Sequence, residues 1–428
     1  MRTFLSMRKL LPALLLPALL LAGCGSGKFI SGPLHLPEES DPAAEEVVVW
    51  HTYSEEETRV FENVLIPLFE SEHPDIKIRS VRQPYTDSLK TAVISRATSG
   101  KPPDLVRMDF TWVPQFTQLG LLYPLSELSD FPEVKARVRG DLLQTAYDDG
   151  GYYGLPLNVS TKIAVYNRKL LTAAGVKQSP ATLAETVELA RNSGSAIGIG
   201  DFSSWGFLPY YIGYGGQLLS PDWSRAEGYM NSPASVQAIE KLLALYREGV
   251  LRISSLTDGV DLWNDVRAGR LFMIDEGPWF YSIFLNTRSV GNDILQQTET
   301  APFPGVAGSV VGGEDLVILK RSQHAEAAWT FMKWMLSPTA QEEMFRVGQL
   351  PTTLDTPIPS ELSKDSYVRA TMDGLDHAFL RPPIPQWDEI DAIMAKSLTL
   401  VFTGRLTPQM GLDDAAKAAD ALLALRKH

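Results

Sequence analysis

The sequence predicts an α/β protein of two halves with a helical C-terminal part, and three observations carry that prediction. Short buried-strand runs alternate with amphipathic helical runs from Val47 to Lys320, the pattern of a mostly parallel sheet covered on both faces. Beyond "EDLVILK" (Glu314 to Lys320) only helical periodicity follows. With 44 % apolar residues in 428, the chain is large enough to bury two sizeable cores.

The first segment is not part of that fold. Arg2, Arg8 and Lys9 precede an apolar stretch from Leu10 to Leu21, followed by the small residues Ala22 and Gly23, the three parts of a secretion signal. As a helix that stretch covers about 18 Å, short of the roughly 20 residues a spanning helix needs. It ends in Leu-Ala-Gly-Cys, which resembles the lipobox of bacterial lipoproteins. The resemblance implies that Cys24 receives a diacylglycerol and becomes the new N-terminus. Cys24 is the only cysteine, so neither an internal disulfide nor a cysteine-based metal site is available. Residues 1–23 are therefore expected to be a signal peptide, and residues 24–45, rich in Gly, Ser, Pro and Glu, a flexible tether. Their removal takes three basic groups and no acidic ones from totals of 39 and 51, leaving a net charge near −15. Nucleic acid and anionic membrane surfaces are poor partners for such a body.

In the body, "VVVW" (Val47 to Trp50) reads as a buried strand. Val60, Val64 and Leu68 then recur beside Phe61, Leu65 and Phe69 in an amphipathic helix ending at His73-Pro74. Ile76 and Ile78 alternate with Lys77 and Arg79 in a strand, Asp87 is placed to cap a helix through Ala97, and "PDLVRMD" gives a strand ending at Asp109. Strands follow at Lys162 to Asn167 and Arg270 to Asp275, with helices near Thr182 to Arg191 and from Ser232 to Glu248. The tail carries helices at Ala325 to Leu336, Pro338 to Val347, Ile390 to Phe402 and Leu412 to Leu425.

No nucleophile elbow, zinc-protease helix, P-loop or dinucleotide fingerprint occurs, and the histidines are scattered singly. What does recur is aromatic and polar residues in the loops after strands, where open α/β sheets bind ligands. These are "WHTYSEEE", "MDFTW", "DFSSWGFLPYYIGYGGQ" and "DEGPWF". Sugars suit such a set, since their C–H faces pack on aromatic rings and their hydroxyls take charge-assisted bonds from carboxylates and arginine. Trp50, Trp329 and Trp334 read as core. Trp112, Trp205 and Trp279 flank loop-forming residues and read as ligand contacts. Asp109, a carboxylate closing an apolar strand, needs a partner and reads as functional. The acids Glu55 to Glu57 have an ordinary use at a helix N-terminus, with a ligand role as the alternative.

The chain resembles the extracellular solute-binding proteins of ABC importers, in the maltose- and trehalose-binding branch. The similarity rests on the order and spacing of "VVVWHTYSEEETRVFENVLIPLFESEHPDIKI", "KPPDLVRMDFTWVPQFTQLGLLYPL", "GLPLNVSTKIAVYN", "GRLFMIDEGPW", "HAEAAWTFMKWMLSPTAQEEMF" and "RPPIPQWDEI". It implies a two-lobed periplasmic-binding-protein fold of type II: residues 46–158 plus about 281–325 in the first lobe, about 159–280 plus 326–428 in the second. The resemblance also implies a sugar bound in the cleft by Tyr53, Glu55, Arg82, Asp109, Trp112, Asn158, Trp205, Trp279, Gly312, Gly313 and Arg381. No cofactor or metal is expected. The implied protein is a monomer, exported and held by lipid on the outer face of the cytoplasmic membrane, and it delivers its ligand to the importer's transmembrane subunits. Two departures point away from maltose toward another di- or oligosaccharide: glutamates replace that branch's first-loop lysine, and serines at Ser203 and Ser204 replace its second-lobe acid. The competing readings are a ferric-ion binder using Tyr152-Tyr153 or Tyr210-Tyr211, and a secreted glycoside hydrolase, for which adjacent acids such as Asp275-Glu276 are poorly disposed.

Overall fold

The computed structural model describes residues 44–280, 294–305 and 308–425. The leader, Cys24 and all but the last two residues of the tether lie outside the described residues.

β1 (Glu45–His51) contains the expected "VVVW" run, with Val47 and Val49 pointing into the core. The acids that follow have the ordinary role foreseen for them. Ser54 and Glu57 form a reciprocal capping box that opens the helix Glu55–Val60. A π-helical turn, Phe61–Leu65, joins it to Ile66–Glu72, and the run stops at His73 as its spacing predicts. β2 (Ile76–Arg82), the helix Asp87–Thr98 and β3 (Leu105–Asp109) complete the first βαβ succession. β3 is buried along its whole length because it lies between two other strands. A small hairpin, β4 (Tyr147–Asp148) and β5 (Gly151–Tyr152), precedes β6 (Leu155–Thr161). Next come β7 (Ile163–Asn167), β8 (Ala196–Ile199), β9 (Leu251–Ile253), β10 (Leu271–Glu276), β11 (Thr298–Pro302) and β12 (Val311–Ile318).

The strands form two five-stranded sheets, in the orders β2-β1-β3-β12-β6 and β11-β7-β10-β8-β9. In each, four of the five strands share a direction, as expected of a mostly parallel sheet, and one runs against them. β1, β2 and β3 are parallel, whereas β12 runs antiparallel to both β3 and β6. In the second sheet β8 is parallel to β9 and β10, while β7 is antiparallel to β10 and β11. The antiparallel members are the strands at which the chain passes between the sheets. A strand entering from the other half arrives against the direction of the βαβ strands.

The division into halves also differs in detail from the expected one. β11 pairs in the second sheet, although residues 281–325 were expected with the first. The helices Ala325–Met335 and Pro338–Phe345 pack Phe331, Met332 and Met344 on the first core with Val47, Phe61, Phe69 and Ile318, although they were expected with the second. The helices Trp387–Phe402 and Pro408–Ala424 do join the second core, where Trp387, Met394 and Phe402 meet Tyr166, Phe207, Leu242 and Phe272. The aromatic stretch read as a loop contains the helix Ser204–Gly213, capped by Ser203, and a further helix, Ser366–Leu375, had no sequence forecast. Glycine and an internal Pro209 obscure the periodicity of the first. Among the described residues no helix is long and apolar enough to cross a membrane.

Candidate functional site

The loops at the C-terminal ends of β1, β2 and β3 converge with β6, β12 and the loops of the second sheet on a cleft of about 760 Å³. Of the residues expected there, Tyr53, Arg82, Asp109, Asn158, Trp205, Trp279, Gly312, Gly313 and Arg381 line it. Glu55 and Trp112 do not. Glu55 is exposed on the first helical turn, and Trp112 is buried in the core beneath Tyr85, whose ring stacks on it at 5.8 Å. Glu57, one of the acids for which a ligand role was the alternative, lines the cleft, as do Tyr85, Arg107, Glu314 and Gln349, which were not expected there.

Arg107 organises the floor. It lies mid-β3, buried, and its guanidinium donates to Thr52 Oγ1 at 2.7 Å, Gln349 Oε1 at 2.9 Å and Asn158 Oδ1 at 3.1 Å. It pairs with Glu314 at 2.8 Å, and its face covers the Tyr53 ring at 4.5 Å. Asn158 donates to the same Glu314 carboxylate at 2.7 Å, and Gln349 donates to Glu57 at 2.7 Å. Residues from four separate stretches of chain are thus fixed by one guanidinium, the geometry for which arginine is suited. Burial pushes the Glu314 carboxyl upward against the pull of Arg107. Burial, then Arg107 and Arg82, lowers the nearby His51 to about 3, so it is neutral.

Asp109 anchors one wall. It accepts from the Thr111 backbone at 2.8 Å, the Thr111 hydroxyl at 2.6 Å and the Tyr85 hydroxyl at 2.7 Å. Burial pushes this carboxyl up, but Arg381 and those donors outweigh it and hold it below its ordinary value. The Arg381 guanidinium stands 3.5 Å from Asp109, lies over Phe110 and Trp205, and leaves its buried Nε without a protein partner.

The opposing wall is aromatic. Trp205, in the first turn of its helix, meets Trp279 with ring centroids 5.2 Å apart. Asp391 fixes that turn by accepting from the Ser204 backbone at 2.7 Å and its hydroxyl at 2.9 Å. A carboxylate thus reaches the position where the sequence shows serines, but it is supplied by a C-terminal helix. The two glycines on β12 have separate reasons. A side chain at Gly312 would meet the Trp205 ring at 2.5 Å, and Gly313 has φ +148 with the Asn158 carbonyl 2.4 Å from where its Cβ would stand.

Three acids (Glu57, Asp109, Glu314) and three guanidinium groups (Arg82, Arg107, Arg381) line the cleft, so its charge is balanced. The tyrosine pairs proposed for iron are elsewhere. Tyr210 donates to Asp275 and Tyr211 to backbone carbonyls inside the second core, while Tyr152 packs on Phe131. Among the described residues no cluster of three metal-ligating side chains occurs.

Comparison with known proteins agrees with this architecture. The profile of the family described as bacterial extracellular solute-binding protein matches residues 54–342. The galactooligosaccharide-binding protein of Bacillus subtilis is 24 % identical, the match covering 94 % of each chain. The maltotriose-binding protein of Pyrococcus abyssi is 23 % identical over 82 % of this chain and 76 % of its own. Among solved structures, the GacH receptor of Streptomyces glaucescens superposes with a TM-score of 0.76 at 24 % identity, covering 89 % of this chain and 99 % of that one.

Proposed function

Because the chain belongs to the bacterial extracellular solute-binding protein family, a family of binding proteins and not of enzymes, we propose that it captures a di- or oligosaccharide in the cleft for an ABC importer. The observation that carries this reading is the combination of a balanced charge with an aromatic wall. A net-charged ligand would leave an uncompensated charge in a buried site, at a cost of several kcal/mol. An uncharged polyhydroxylated ring satisfies both walls: hydroxyls meet the carboxylates and guanidinium groups, and C–H faces meet Trp205 and Trp279. The names of the galactooligosaccharide- and maltotriose-binding relatives support the same class. Of the adjacent acids weighed for a hydrolase, Asp275-Glu276 and Glu314-Asp315, only Glu314 lines the cleft, and it is held by Arg107 and Asn158.

A ligand touching both walls stabilises the closed arrangement, because only there are both sets of contacts made. Hinge closure is general for periplasmic binding proteins. The two halves would close about the crossings near Lys162 and between β11 and β12, and the closed form would dock on the transmembrane subunits. Cys24 would carry the lipid that keeps this body near its permease, raising the effective concentration for docking.

A thermal-shift screen tests the reading. Maltotriose, trehalose, galactosyl-oligosaccharides and, as a charged control, glycerol 3-phosphate are each added in excess. A sugar present at 100 times its Kd stabilises the protein by about 2.7 kcal/mol. A shift with at least one sugar and none with the phosphate is expected. A response to the anion alone would overturn the assignment.

A further inference from the structure

Lys162 is the sole residue between β6, in the first sheet, and β7, in the second. Its side chain is only 6 % exposed and forms an ion pair with Asp275, 1 % exposed, near the end of β10. Asp275 also accepts from the Tyr210 hydroxyl at 3.0 Å. Tyr210 belongs to the helix whose first turn carries Trp205, and Asp275 lies on the segment that continues into Trp279. One buried pair therefore joins the crossing strand to the carriers of both tryptophans. The Lys162 ammonium also stands 5.8 Å from the Trp205 ring centroid, within the roughly 6 Å over which a cation is held by an aromatic face. Neither Lys162 nor Asp275 lines the cleft.

A buried ion pair contributes little stability compared with apolar residues of the same volume. What this one supplies is geometry. We propose that Lys162 is a positioning residue for the binding site, which with Asp275 and Tyr210 fixes the Trp205–Trp279 wall relative to the crossing strand before a ligand arrives. The proposal rests on the reading of the cleft as a sugar site. A wall already in place spares the ligand the cost of ordering two large side chains.

Lys162→Met alone leaves Asp275 buried without its cation and is expected to destabilise the fold, so the informative protein is the double variant Lys162→Met/Asp275→Asn. It removes both charges, and the amide can still accept from Tyr210. Should it fail to fold, Lys162→Gln, which keeps a donor to Asp275 but no charge, takes its place. Two measurements are made on folded protein. Without ligand, acrylamide quenching of Trp205 is isolated by subtracting the Trp205→Phe protein in each background, and quenching is expected to rise in the variant. With maltotriose and a galactosyl trisaccharide as probes, affinity is expected to fall about tenfold, and Lys162→Arg to restore most of it. Unchanged Trp205 quenching in the folded variant would overturn the proposal. If quenching rises but the wild type responds to glycerol 3-phosphate and to none of the sugars of the thermal-shift screen, the positioning role stands and the sugar reading fails.

Discussion

Asp315 lies on β12 beside Glu314 and is buried, with its Oδ2 3.0 Å from the Thr145 hydroxyl. That hydroxyl is also 2.7 Å from the Leu142 carbonyl, which can only accept. Threonine has one hydroxyl proton to give. Shared between the Leu142 carbonyl and Asp315, that proton does little to hold the carboxylate charged. Burial, opposed by the Thr145 hydroxyl and reinforced by the charges of Asp109 and Glu314, pushes this carboxyl up to about 8. The folded protein thus holds a proton that the unfolded chain, at the ordinary value of 3.8, has released. The sign follows: stability is lowest above pH 8 and rises as pH falls, by at most about 1.4 kcal/mol per pH unit. Integrated from pH 8 to 6.5, the gain is about 1.5 kcal/mol. Two other groups act mainly outside that window. His51, held near 3, costs stability only as pH falls below its ordinary 6.5, and Asp391, raised to about 6, adds stability only near and below that value. Urea unfolding of the wild type and of Asp315→Asn at pH 8, 7.25 and 6.5 measures the effect. The wild type is expected to gain about 1.5 kcal/mol on the variant over that range, and parallel curves would refute a protonated Asp315.

Arg107→Met leaves Glu314 buried without its cation and frees Asn158, Gln349 and Thr52, so a loss of about 3–5 kcal/mol in urea unfolding is expected, with sugar binding lost as well. Gly313→Ala forces a side chain into a positive-φ position against the Asn158 carbonyl and is expected to destabilise the protein by more than about 1 kcal/mol in urea unfolding. Cys24→Ser is expected to move the protein from the membrane to the soluble fraction on fractionation; retention at the membrane would make the uncleaved leader the anchor.

Much of the site was legible because ligand contacts in such sheets sit where strands end. Asp109, Trp205 and Trp279 each follow or close an apolar run beside a breaker residue. Arg107 left a signal that went unused: a lone cation inside "LVRMD", a strand otherwise too apolar to hold one without partners. Those partners were not legible, since Gln349 is 242 residues away and reaches the floor only through the fold. Trp112 misled because its flanking Pro114 suggested a loop, whereas it starts a helix and packs inward under Tyr85. The one reversed strand of each sheet was not legible for a related reason. Apolar runs show that a strand is buried on both faces and say nothing of the direction of its neighbour, so β7 and β12 looked like the strands around them. The acids at Glu55 to Glu57 divide as helix physics dictates: Glu57 caps, turns inward and reaches Gln349, while Glu55 remains on the surface.

One uncharged sugar is expected to bind between the polar floor and the Trp205–Trp279 wall. Titration calorimetry with the sugar that gives the largest thermal shift, on the wild type and on Trp279→Ala, tests it most directly. One-to-one binding without turnover of the sugar, weakened at least about tenfold in a variant that unfolds at the same urea concentration, is the predicted result. Equal affinity in the two proteins, or cleavage of the sugar during the titration, would contradict it.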